Sequence, residues 1–229
     1  SSAIAERYSG WPTWFVLWCE PPSTSTKRLA AVARSYSALP MLVVALPNVI
    51  AALLQYKTWL ASGIGGDERP VIITALPLYH IFSLTVNCLV MMFVGGENVL
   101  ITNPRDIAGF VKELAKHKYS MITGVNTLFN ALLNHPDFAK LDFSHLKLAL
   151  GGGMAVQKAV AERWKQVTGT ALIEGYGLTE TAPSATANPL NSTEYTGAIG
   201  VPMSSTEVEL RDDNDRSVPL GQPGEICIR

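Results

Sequence analysis

From residue 70 onward the chain alternates short runs of β-forming apolar residues with longer stretches whose apolar positions recur at helical spacing. "PVIITALPL" reads as a strand ending at Pro77, "IFSLTVNCLVMMF" as a buried helix, and "ENVLIT" as the next strand, closed by Asn103 and Pro104. In "DIAGFVKELAKH", Asp106 stands where an N-cap belongs, and Ile107, Phe110, Val111 and Leu114 recur at helical spacing. "KYSMITGV" is then a strand, "NTLFNALLNH" a helix stopped ahead of Pro136, and "LKLALGGG" a strand that runs into glycine. "AVQKAVAERWKQVTG" follows as a helix with Gly169 in the C-terminal stop position, and "TALIEGYG" closes the series as a strand. Repeated strand–helix units of this kind predict an α/β fold, a mostly parallel sheet with flanking helices.

After Pro183 the helical spacing stops, and Ser, Thr, Asn, Pro and Gly dominate before the short apolar runs "TGAIGVP", "EVELRD" and "GEICIR". "DDNDRSVPLGQPG" between the last two is a hairpin connection; Asp212, Asp213 and Asp215 lack the spacing and terminal Glu of a Ca²⁺ loop. These runs predict a second, all-β module over residues 192–229, cut at Arg229, behind an α/β core over residues 48–191. Residues 1–47 follow neither grammar: they hold three of the five tryptophans and a Pro/Ser/Thr/basic tract without a period. An irregular segment and a sequence altered upstream of residue 48 both account for them.

Composition narrows the classes. Lys and Arg (18) balance Asp and Glu (19), and no basic stripe interleaved with aromatics suggests a nucleic-acid surface, so no nucleic acid is expected as a partner. Cys19, Cys88 and Cys227 show no metal or redox spacing, which points to reduced thiols and a cytoplasmic location. His80, His117, His135 and His145 form no zinc motif. The apolar stretch 39–56 is broken by Pro40, Pro47 and Asn48 and reads as a turn followed by a core helix; the stretch 81–94 is too short to span a bilayer and carries Asn87. The opening "SSAIAERYSG" shows no secretory signal.

Chemistry is sought at the carboxyl ends of the strands, where parallel α/β sheets bind ligands. Gly151, Gly152 and Gly153 remove every Cβ from one strand end, which suits either a flat ligand lying on the backbone or a close helix–strand crossing. In "EGYGLTET", Tyr176 offers a π-face, Thr179 a hydroxyl and Glu180 a carboxylate, a set able to stack a base, touch a phosphate and hold a hard cation. A carboxylate in an apolar turn needs a reason to be there, which favours function for Glu180. Thr179 is equally an N-cap, His80 a cap for a core helix, and Asn126 and Thr127 caps for the helix that they open.

"YGLTE", the upstream "GGG" and "PLYHIFSL" together resemble the acyl-adenylate-forming superfamily of acyl-CoA synthetases, adenylation domains and luciferases. The stretches "ALPLYHIFSLTVNCL", "GGENVLITNPRDIAGFVKELAKHKYSMITGVNTLFNALLN" and "GGGMAVQKAVAERWKQVTGTALIEGYGLTET" are similar to bacterial long-chain fatty acid–CoA ligases over about residues 48–229. The resemblance implies the N-terminal α/β domain of such enzymes followed by the start of a small β-barrel subdomain. It implies ATP, Mg²⁺ and coenzyme A as co-reactants and a long-chain fatty acid as substrate. Tyr176 would stack on adenine, with Gly151, Gly152, Gly153, Gly175 and Gly177 shaping that slot; Thr179 would bond the α-phosphate and Glu180 would ligate Mg²⁺. His80 would line the meeting point of acyl chain and nucleotide, and Asn126, Thr127 and Leu128 would wall an acyl tunnel. A peripheral membrane contact at the inner face of the membrane and a homodimer are compatible with it.

The sequence departs from the family in one informative place. The Ser/Thr/Gly-rich phosphate loop expected shortly before "NVIAALLQY" is missing, and "PPSTSTKRL" in roughly its place lacks glycine. The ribose-binding aspartate, the hinge and the C-terminal domain with its lysine would lie beyond Arg229. The chain is therefore expected to be inactive alone. A non-catalytic module that keeps an acyl or nucleotide pocket, and another branch of the superfamily, stand as alternatives.

Overall fold

The structure, a computed structural model, describes residues 38–64 and 69–229. The expectation of an irregular segment lies outside the described residues up to position 37. From Ala38 the chain is helical: helix α1 runs Ala38–Ile64 with Pro47 inside it, so the turn expected ahead of the core helix is not there. A proline within a helix removes one donor, at a cost of about 3 kcal/mol. The Ala- and Leu-rich sequence of α1 favours helix strongly enough to offset it. Ala52, Tyr56 and Leu60, spaced by one helical turn, are buried, while Ile50 and Leu54 are exposed.

The five predicted parallel strands are β1 Val71–Thr74, β2 Glu97–Leu100, β3 Met121–Gly124, β4 Leu148–Gly151 and β5 Leu172–Tyr176. Two-residue strands β6 Thr186–Ala187 and β7 Val201–Pro202 extend the sheet antiparallel, giving the order β2-β1-β3-β4-β5-β6-β7. The sheet thus continues past Ser192, and the change of composition there marks the end of the helices. One compact unit comprises Asn48–Val208 with Ile228–Arg229, and Glu209–Cys227 belongs to the other. The hairpin of β8 Val208–Arg211 and β9 Glu225–Ile228 forms a separate two-stranded sheet. Within it, Arg211 pairs with Glu209 at 2.6 Å and with Asp215 at 2.8 Å.

Strand residues alternate between two cores, as the pleat requires. On one face Ile73, Ile122, Ala149 and Leu172 pack with helices α3 Ile107–Leu114, α4 Asn126–Asn134 and α5 Lys158–Thr168, around Phe129, Phe138 and Trp164. The Trp164 ring meets Phe129 edge-on, centroids 4.8 Å apart. On the other face Ile72, Met121, Leu148, Leu150 and Ile173 pack with Tyr56 and Leu60 of α1 and with Phe82, Val86 and Val90. Of the expected caps, Asp106 accepts from the Gly109 N–H at 2.9 Å and Gly169 ends α5 in the left-handed region, whereas Asn126 and Thr127 do not cap α4, whose N-cap is Val125 without a side-chain bond.

The helix predicted over 81–94 is π-helical over Ser83–Val90 before it closes as α2 Met91–Val94. Asn87 lies inside this widened turn, fully buried, and the amide bonds Thr74 Oγ1 at 2.9 Å and Thr123 Oγ1 at 2.8 Å. Asn98 Nδ2 donates to the Asn87 carbonyl at 2.6 Å. The polar residue that argued against a membrane span is therefore satisfied by a network joining three strands. No helix among the described residues is long and apolar enough to cross a membrane.

Candidate active site

Strand register aligns the site. β1 pairs Thr74 with Thr123 of β3, β3 pairs Gly124 with Gly151 of β4, and β4 pairs Gly151 with Glu174 of β5. The segments that follow, 75–80, 125–128, 152–155 and 177–184, therefore leave the sheet along one carboxyl edge. Every predicted site residue lies on this edge.

At the end of β4 the three glycines differ. A Cβ on Gly151 would meet Val156 Cγ2 at 2.7 Å, and one on Gly152 would meet the Phe82 ring at 3.1 Å and the Gly175 carbonyl at 3.6 Å. These two glycines admit close packing and bring the ends of β4 and β5 together. Gly153 is exposed, in the left-handed region at φ 75°, with only Val125 within reach at 3.7 Å. It alone leaves bare backbone at the surface.

Two side chains fasten the return from this turn to α5. Glu174, buried on β5, accepts from the Val156 N–H at 3.0 Å, and Asn126 Oδ1 accepts from the Gln157 N–H at 2.9 Å. Tyr195 adds a hydroxyl bond to the Val156 carbonyl at 2.9 Å. Of the three residues predicted for an acyl tunnel, Asn126 thus braces a loop, Leu128 packs into the core and Thr127 is exposed.

The end of β5 folds back on itself. Tyr176, half-buried, pairs with Thr186, and its carbonyl accepts from the Ala185 N–H at 2.9 Å. Gly177 is obligatory here, since a Cβ would run into the Pro183 carbonyl. Thr181 closes the loop: its Oγ1 accepts from the Leu178 N–H at 2.9 Å and donates to the Pro183 carbonyl at 2.8 Å. Held this way, the turn Thr179–Thr181 leaves Thr179 and Glu180 exposed. Glu180 is therefore not buried, contrary to the argument from an apolar turn. No described residue bonds or pairs with its carboxylate, and the described residues hold no cluster of three metal-ligating side chains.

His80 is exposed and its ring does cap a helix start, Nδ1 accepting from the Phe82 N–H at 3.3 Å. In the neutral ring that leaves the proton on Nε2. Behind the edge, the Tyr56 hydroxyl of α1 bonds Ser184 Oγ. Burial pushes the Tyr56 hydroxyl up to about 12, with the Ser184 bond acting in the opposite direction. Neighbouring Gln55 donates to the Ser204 carbonyl.

The sequence reading missed Glu174, Thr181, Tyr56 and Ser184. Thr181 stands in the same "TET" as the predicted pair, but Tyr56 and Ser184 are 128 positions apart and nothing local links them.

Residues 43–229 match the family model for AMP-binding enzymes. The long-chain-fatty-acid–CoA ligase of Escherichia coli O6:H1 is 60% identical over 161 residues, 70% of this chain and 29% of that protein. Its counterpart in Salmonella typhimurium is 57% identical over 182 residues, 80% of this chain and 32% of that protein. Among solved structures, a long-chain-fatty-acid-CoA ligase from Archaeoglobus fulgidus shares 25% identity at a TM-score of 0.63, over 80% of this chain and 37% of that one. The chain thus spans about a third of the length of the curated relatives it matches. Sheet order, strand-end motifs and family match agree, and the chain belongs to the AMP-binding enzyme family.

Proposed function

We propose that this chain carries the adenine and Mg²⁺ side of a long-chain fatty acid–CoA ligase site. In the whole enzyme the fatty acid carboxylate attacks the α-phosphate of ATP, releasing pyrophosphate and forming acyl-AMP. The thiol of coenzyme A then displaces AMP and leaves the thioester. A carboxylate is a poor acyl donor because oxide leaves badly, whereas AMP leaves readily.

The observation that carries this reading is the abutment of the two strand ends, where Gly152 lies against the Gly175 carbonyl beside half-buried Tyr176. Tyr176 stacks on the base, and the backbone of Gly151–Gly153 and of Gly175–Gly177 shapes the slot. The exposed Thr179 hydroxyl bonds the α-phosphate. Mg²⁺ takes few ligands from protein and the rest from phosphate oxygens and water. One exposed carboxylate with no described partner, Glu180, suits such an ion. When bound, the ion offsets charge as two anions approach.

His80 is assigned to the junction of nucleotide and acyl chain, its capping bond fixing the ring on the same edge. Asn126, Thr127 and Leu128, at the neighbouring end of β3, are assigned to the acyl side. No glycine occurs in residues 20–47, where the phosphate loop belongs, and on that ground the chain is expected to bind without turning over. A cytoplasmic location, a peripheral membrane contact and a homodimer complete the proposal; vesicle flotation and sedimentation test the last two.

A thermal unfolding scan with a non-hydrolysable long-chain acyl-adenylate analogue tests the site itself. A ligand that binds the folded state raises Tm by linkage. The expected result is an upward shift that Tyr176→Ala abolishes. A transition indifferent to the analogue overturns the assignment.

A further inference from the structure

The loop that presents Thr179 and Glu180 has two kinds of tie. Thr181 bonds Leu178 and Pro183, and Ala185 bonds Tyr176; these set the shape of the loop and attach it to its own strand. Ser184 is different, because its hydroxyl reaches Tyr56 on α1, in the helical layer behind the sheet. The Tyr56 ring is 2% exposed and packed among Phe82, Leu60 and Ile173. The same Phe82 ring lies against Gly152. One apolar cluster therefore backs both halves of the site, and the hydroxyl pair of buried Tyr56 and half-buried Ser184 joins it to the loop.

We infer that Tyr56 is a positioning residue for the nucleotide site: by holding Ser184 it fixes where Thr179 and Glu180 stand relative to the base-stacking Tyr176. The inference rests on the nucleotide reading above. Tyr176 is anchored by strand pairing and does not depend on this tie. Without it, the loop keeps its internal bonds and pivots on β5, which moves the phosphate and metal contacts while sparing the base contact. Small displacements of such groups weaken binding out of proportion to the bond lost.

The test is the dissociation constant of this chain for ATP, measured with Mg²⁺ and with EDTA, for the unmodified chain, Tyr56→Phe, Ser184→Ala and the double variant. Tyr56→Phe keeps the ring and so protects the core. It is expected to weaken Mg²⁺-dependent binding roughly fivefold and metal-free binding by less than about twofold. Ser184→Ala gives the same pattern, the double variant adds nothing further, and Ser184→Thr, which keeps a hydroxyl, restores the unmodified behaviour. If the variants lose Tm but both constants move equally, the pair is only structural and the inference falls. If the unmodified chain binds ATP and the two single effects add, the inference falls and the nucleotide reading stands. If the unmodified chain binds ATP under neither condition, the nucleotide reading falls and takes this inference with it.

Discussion

Two glycine-rich strand ends lie side by side in this molecule, and they use glycine for different purposes. At the end of β4 the room left by Gly151 and Gly152 is filled by side chains, Val156 and Phe82. At the end of β5 the room left by Gly177 is filled by backbone, the Pro183 carbonyl. Side chains can yield by a rotamer change, whereas a carbonyl fixed by Thr181 cannot. The exposed polar pair, Thr179 and Glu180, sits on the strand end where backbone folds against backbone. Rigid presentation of that exposed pair is what the arrangement supplies.

The largest expected effect breaks the comparison at its sharpest point. Gly177→Ala should destabilise the chain by about 3 kcal/mol, because neither atom of the clash can move cheaply. Gly151→Ala, whose one close contact is a Val156 methyl, should cost about 1 kcal/mol. Urea denaturation of the two variants measures the difference. Equal costs would mean that the loop after β5 is no more rigid than the turn after β4.

Alkaline pH probes the anchor behind the β5 loop. The Tyr56 hydroxyl is raised from 10.0 to about 12 by burial, so the folded state holds its proton more tightly than the unfolded state. Stability from this group is complete below pH 10 and is lost as pH rises towards 12, a loss of roughly 2–3 kcal/mol. Burial also raises Tyr119, on the opposite core, so the Tyr56 part is read as the difference between the chain and Tyr56→Phe. Denaturation curves between pH 9 and pH 12 that stay parallel for the two proteins would show that Tyr56 is not held buried.

Thr181→Val tests the loop's internal closure. The change keeps shape and removes the hydroxyl, leaving the Leu178 N–H without its acceptor, at about 1–2 kcal/mol. Amide exchange should accelerate over residues 178–185 and stay unchanged at Val156 and Gln157, which Glu174 and Asn126 hold. Faster exchange in both places would make the two strand ends a single unit.

Much of this architecture was legible in order and type. Apolar runs located five parallel strands, and Asp106 and Gly169 marked helix ends, because each of these signals is local. Apart from Pro47, whose helix is favoured locally, the positions where reading failed depend on partners remote in sequence. Pro47 reads as a breaker, yet α1 carries it within a strongly helix-favouring stretch. Strand β6 is two residues long, too short for any period, and exists only by pairing with β5 and β7, whereas β7 falls within the apolar run "TGAIGVP". At the candidate site, "GGG" and "YGLTE" were visible as unusual strings at strand ends. The division of labour among the glycines, the bracing role of Asn126 and the link from Tyr56 to Ser184 belong to tertiary contacts.

The smallest effect on stability falls on the residue with the largest proposed role. Glu180 is exposed, and no described residue bonds or pairs with it, so Glu180→Gln removes no contact seen in the fold. Its effect on unfolding free energy should lie within about 0.5 kcal/mol. The same change removes the negative charge proposed to hold Mg²⁺ while keeping size and shape. Titration with ATP should then give one affinity whether Mg²⁺ or EDTA is present, while the unmodified chain gives two. A variant that keeps the Mg²⁺ increment would move the ion away from Glu180 and leave the β5 loop with a phosphate contact alone. A variant that unfolds would mean that the carboxylate belongs to the fold after all, which would erase the contrast between a strand end built for packing and one built for presentation.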